Sequence, residues 1–140
     1  MSFDMIGPAL ALALGCLGSA IGCGIAGMAS HGVMSRVEEN HAKFIAMSAL
    51  PSSQAIYAIV LTIVMSTAIK AGTLSAASGI GIGASVGAAN MVCSIYQGMA
   101  AATGIQASAK QPSVYGKCYG ALGIIESFSI FAFIFALQLI

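Results

Sequence analysis

The sequence predicts an all-α membrane fold, four transmembrane helices arranged as a duplicated helical hairpin. Three observations lead there. Hydrophobic residues make up 59% of the 140 and charged residues 6%, whereas about a quarter of a soluble domain is charged. The few charges gather at Asp4, at Arg36, Glu38, Glu39 and Lys43, at Lys70, at Lys110 and Lys117, and at Glu126, leaving apolar stretches at roughly 5–30, 44–69, 71–109 and 118–140. Each is long enough for the ~20 residues of a span. Sliding the chain by 72 residues without a gap places Gly7 on Gly79, Gly15 on Gly87, Gly32 on Gly104, Ala49 on Ala121 and Leu50 on Leu122. Residues 1–72 therefore read as one hairpin and 73–140 as its repeat.

Span 1 opens MSFDMIGPALA, with Asp4 and no basic residue, so it is expected to be a permanent span and not a cleaved signal peptide. It carries small residues at Gly15, Ser19, Gly22, Ala26 and Ala29. In lipid, small residues let helix backbones approach closely and gain van der Waals contact. The loop that follows holds Arg36, Glu38, Glu39 and Lys43, with His31 and His41 nearby. Two histidines without a third ligand read as solvated residues, and the loop as a polar patch suited to docking a soluble partner. Span 2 contains LPSSQAIY, in which Pro51 cannot donate an N–H to the Met47 carbonyl and is expected to kink the helix.

Span 3 opens with Gly79, Gly81, Gly83, Ser85 and Gly87 at every second position and later carries Gln97 in SIYQG. Glycine on several faces suits a simple two-helix seam or the inner wall of a narrow ring. Its presence in both halves favours the ring, with the bulkier spans 2 and 4 facing lipid. Cys16, Cys23, Cys93 and Cys118 lack CxxC spacing and read as packing residues. Span 4, from Cys118 to Ile140, surrounds Glu126 with ALGII and SFSIFAFIFAL. Four basic residues flank the first and third loops and one flanks the second, which places the first and third loops in the cytoplasm and both termini outside. A net charge of +1 says nothing about nucleic acid, and no basic patch offers a site for it.

A carboxylate in mid-span costs roughly 2.5–3.5 kcal/mol or more, and such residues face a bundle interior, a partner or an ion path. Gln54 lies eleven residues past Lys43, Gln97 thirteen before Lys110 and Glu126 nine past Lys117. At ~1.5 Å per residue all three are expected roughly 14–20 Å below one rim, in one layer. Gln54 and Tyr57 share a helical face, flanked by Ser53, and a carbonyl loosened beside Pro51 can join them. The result is a set of hard oxygen donors around one carboxylate, the shell a hard cation favours. The oxygen surplus favours Na⁺ over H⁺. In the repeat register Gln54 falls opposite Glu126, so one copy keeps the ionisable group and the other its neutral amide.

With LPSSQAIY, YQG and IES in these places across a doubled hairpin, the chain resembles the proteolipid subunit K family of V-type rotary ATPases, above all its sodium-translocating bacterial members. The resemblance covers essentially the whole chain. It implies Na⁺ ligands at the Leu50 backbone carbonyl, Ser53, Gln54, Gln97 and Glu126, with Tyr57 hydrogen-bonded to the carboxylate. The family's hydroxyl ligand is threonine, and Ser53 lacks the methyl that fixes its rotamer. The resemblance further implies a homo-oligomeric ring in a prokaryotic plasma membrane, a stator subunit I that loads and unloads ions, and a central stalk docked on the cytoplasmic loops. It implies no catalytic residue in this chain, ATP chemistry belonging to other subunits. One carrier per four helices moves fewer ions per turn and favours an ATP-driven pump. The same ring carrying H⁺, a small drug/proton antiporter and a purely structural proteolipid are the other readings. The antiporter lacks its aromatic pocket, since there is no Trp.

Overall fold

Glycine and proline punctuation divides the chain into helices whose ends differ by a few residues from the hydropathy limits. The structure is a computed structural model describing residues 3–140, all helix and short connection. After a 3₁₀ turn at Phe3–Met5 come α1 (Ile6–Met34), α2 (His41–Ala49), a 3₁₀ turn at Leu50–Ser52, α3 (Ser53–Ala71), α4 (Ala76–Lys110), a 3₁₀ turn at Pro112–Val114 and α5 (Tyr115–Gln138). Helix α2, the turn and α3 form one continuous rod. Four segments, Phe3–Met34, His41–Ala71, Ala76–Lys110 and Pro112–Gln138, are long and apolar enough to cross a membrane.

The third span begins at Ala76 rather than 71. Gly72, at φ 77°, closes α3 with its N–H on the carbonyls of Ala68 and Ile69, a left-handed stop that glycine adopts without Cβ strain. Ser75 then caps α4, its Oγ accepting the Ser78 N–H at 3.2 Å. The last helix starts at Tyr115, three residues before Cys118, because the Pro112 turn leads directly into it. The connections at residues 35–40 and 111–114 share one end of the bundle, here the loop face. The termini and the turn at Gly72 share the other, the terminal face.

Helices α1 and α4 run parallel as the central pair, in van der Waals contact through glycine. A Cβ on Gly98 would collide with the backbone of Gly22, one on Gly83 with the backbone of Gly7, and one on Gly18 with the backbone of Met91. The every-second-residue glycines of α4 separate onto two faces at the helical period. Gly83 and Gly87 press on α1, whereas a Cβ on Gly81 would meet open space. Helices α3 and α5 flank this pair and turn large apolar side chains outward, among them Ile56, Ile59 and Ile63 on α3 and Ile124, Phe128, Phe131 and Phe135 on α5.

Two apolar clusters build the core. Ala11, Leu61, Met65, Ala68, Leu74, Val86 and Ala136 pack together towards the terminal face. Ala26, Val33, Phe44, Met47, Ala101, Ile105 and Leu122 pack towards the loop face. The polar layer that contains Gln54, Gln97 and Glu126 falls between the two clusters.

Candidate cation site

The polar layer starts at Pro51. Its missing N–H does not leave the Met47 carbonyl free: the Leu50 N–H bonds Met47 O, and the Ser53 N–H bonds Leu50 O. The helix tightens into a 3₁₀ turn, and the carbonyls there are redistributed rather than simply loosened. Ser94 of α4 donates its hydroxyl to the Pro51 carbonyl at 2.6 Å. Gly22 makes this approach possible, since a Cβ there would strike both Ser94 O and the Pro51 ring.

Beyond the turn, Ser53 Oγ lies 3.1 Å from Leu50 O and 3.2 Å from Gln54 Oε1. The single hydroxyl hydrogen can serve one of those oxygens at a time. Both separations are slightly shorter than the roughly 3.3–3.7 Å that bonds of 2.3–2.6 Å at right angles would set between neighbouring oxygens of a hard cation.

Gln54 Nε2 donates to Gln97 Oε1 at 3.1 Å. Gln97 Nε2 donates in turn to Leu122 O at 3.2 Å and to Glu126 Oε2 at 3.3 Å. Tyr57 donates its hydroxyl to Glu126 Oε1 at 2.8 Å, and its ring stacks on Phe133 with centroids 5.7 Å apart. The expected ion ligands Leu50, Ser53, Gln54, Gln97 and Glu126, with Tyr57, therefore meet in one network. Gln54 and Gln97 are fully buried, while Ser53, Tyr57 and Glu126 are half-buried at its edge. Both oxygens of Glu126 accept hydrogen bonds from neutral donors, which orient a carboxylate without cancelling its charge. The nearest basic residue in its own helix is Lys117, nine residues or about 13 Å away along the axis.

Among the described residues no three His, Cys, Asp or Glu side chains converge, so a cation here would rest on one carboxylate and neutral oxygens. The four cysteines are free, and Cys16 is exposed on α1 rather than packed inside. His41 turns back onto the Val37 carbonyl at 2.6 Å. At the loop face Lys43 Nζ sits 5.5 Å from the Tyr115 ring centroid, and Tyr115 and Tyr119 share a 2.7 Å hydrogen bond. Ser94 is a layer residue that depth counting and motif spacing do not single out. Its place three residues before Gln97, on the same face of α4, was the available signal.

The family model of the ATP synthase C-subunit matches twice, at residues 6–65 and 80–139, once in each hairpin. The A-type ATP synthase subunit K of Methanocaldococcus jannaschii is 30% identical over 135 residues, covering 96% of this chain and 60% of that protein. The chain thus spans three-fifths of the length of that relative. With two family matches covering both hairpins of a four-span helical fold, the chain belongs to the ATP synthase C-subunit family.

Proposed function

We propose that this chain is a non-catalytic rotor-ring proteolipid of a V/A-type ATPase that carries Na⁺ on Glu126. Identical copies close into a ring with α1 and α4 on the inner wall and α3 and α5 outside. The loop face lies in the cytoplasm of a prokaryotic cell and docks the central stalk near Arg36, Lys43, Lys110 and Lys117. A stator subunit I exchanges the ion at the half-buried edge where Glu126 lies. ATP is hydrolysed on other subunits.

The observation that carries the sodium reading is the pairing of two features. The Glu126 carboxylate is held by Tyr57 and Gln97 with both oxygens accepting. Beside it, Ser53 faces two acceptor oxygens with one hydrogen. A cation bound by Glu126, Gln97, Gln54, Ser53 and the Leu50 carbonyl would relieve both conditions. It would also neutralise the carboxylate before rotation turns it to lipid, where a bare charge is costly. A proton would neutralise Glu126 without using the Leu50, Ser53 and Gln54 oxygens.

Carbodiimide labelling of Glu126 in purified rings, over a sodium titration at fixed pH, tests this. The reagent modifies the protonated carboxyl, so bound Na⁺ should protect it where matched K⁺ does not. Labelling indifferent to Na⁺ and governed by pH alone would make the ring a proton carrier.

A further inference from the structure

Immediately to the terminal side of the cation layer, three buried polar side chains from three helices lack partners. Ser19 of α1, Asn90 of α4 and Ser129 of α5 are 6%, 1% and 0% exposed. Ser19 Oγ, Ser129 Oγ and both polar atoms of the Asn90 carboxamide make no hydrogen bond to the described residues. A carboxamide brings two N–H donors and an acceptor, and each hydroxyl a donor and an acceptor. Buried groups of this kind are satisfied in folded proteins by protein atoms or by ordered water.

Their register places them at neighbouring levels of the bundle. Gly18, next to Ser19, packs on the backbone of Met91, next to Asn90. Asn90 lies two turns before Gln97 on α4, between the buried residues Val86 and Ser94. Ser129 lies one turn after Glu126, in the stripe Leu122, Ser129, Ala136 that α5 turns into the bundle. Helices α4 and α5 are antiparallel, so both offsets lead towards the terminal face. The three groups fall within about one helical turn, ~5.4 Å, of a common level.

We propose that Ser19, Asn90 and Ser129 enclose an internal water site beside the cation layer, in which one or two water molecules complete the hydrogen bonds of Asn90. A second copy of the chain cannot supply the partner, because these atoms are sealed within one protomer. A bare cation would leave the Asn90 N–H donors unpaired and bring a buried charge with no counter-charge beside it. A groove between α4 and α5, lined by Ile82, Ser85, Val86, Ala132 and Ala136, begins one turn beyond the site, Val86 four residues from Asn90 and Ala132 three from Ser129. The site is independent of which cation Glu126 carries.

The chain has two asparagines, Asn40 and Asn90, and Asn40 is exposed at the loop face. Water-edited solid-state NMR in lipid on protein carrying ¹⁵N in asparagine, leucine and alanine, and not in glutamine, therefore reads two carboxamide signals, assigned with Asn40→Gly. Asn90 should receive magnetisation from water at mixing times that leave the Leu61 and Ala101 backbone amides, in the two apolar clusters, dark. Ser129→Ala, which removes one oxygen and leaves the helix intact, should lower that transfer about threefold. An Asn90 signal as dark as Leu61 and Ala101 would overturn the proposal. So would a direct hydrogen bond from the Asn90 carboxamide to Ser19 or Ser129, or a Ser129→Ala transfer equal to that of the parent.

Discussion

Tyr57 and Gln97 hold opposite oxygens of one carboxylate, and they do so from different helices at 2.8 and 3.3 Å. A hydrogen bond to a charged group contributes about 1.5–3 kcal/mol. Tyr57→Phe keeps the stack on Phe133 but removes the donor, so sodium protection of Glu126 should shift to concentrations roughly tenfold higher or more. Gln97→Ala should shift it further, because it also leaves Gln54 Nε2 without its acceptor and Leu122 O without its donor. A titration midpoint unmoved in both variants would remove these residues from the site. Gln97 was legible in sequence from its depth beside Glu126, and the Tyr57 bond to the carboxylate from the family resemblance. The hydrogen-bond directions were not legible, because they depend on rotamers fixed by packing.

At the scale of the helix, the Pro51 turn and the α1–α4 seam act as one device. Pro51 removes one backbone bond, the 3₁₀ turn re-bonds Met47 and Leu50, and Ser94 satisfies the Pro51 carbonyl across the seam. That approach depends on Gly22 and Gly98, whose missing side chains let the two backbones touch. Gly98→Val would force α1 and α4 apart and carry Ser94 and Gln97 with them. Reduced ring yield in native gels, with sodium protection weakened in whatever ring remains, is the expected result. Normal assembly and protection would show that the seam tolerates a β-branched side chain. The small-residue pattern was visible in sequence, but its division into contacting and open faces was not. Gly81 and Gly83 look alike in the string and differ only once the helix is rotated against α1.

Across the whole molecule, the polar layer sits between two apolar clusters, a sealed band in which Glu126 reaches the half-buried edge. This arrangement suits a carrier that is loaded at an interface and then shielded. Glu126→Gln keeps both hydrogen-bonding positions in a neutral side chain, so the ring should assemble with normal mass while ATP-driven sodium uptake by the reconstituted complex is lost. Uptake retained at the parental rate would overturn the proposed role of Glu126. In the proposed rotor, one carboxylate per four helices, with Gln54 in the corresponding place of the first hairpin, would limit the charges moved per turn. Each charge costs about 2.3 kcal/mol per 100 mV, so fewer charges per ATP allow work against a steeper gradient.

The sequence alone determined the four spans, the internal repeat and the residues of the polar layer other than Ser94. Each of these follows from a property carried along one dimension: the cost of placing charge in lipid, the length of helix that crosses it, and depth counted from a charged rim. The tertiary structure decided the rest. It fixed the pairing of α1 with α4, the Ser94 bond to Pro51, the donors to each oxygen of Glu126 and the unpartnered cluster of Ser19, Asn90 and Ser129. These depend on the rotation of each helix about its own axis, which a weakly amphipathic span in lipid leaves open until close packing selects one face.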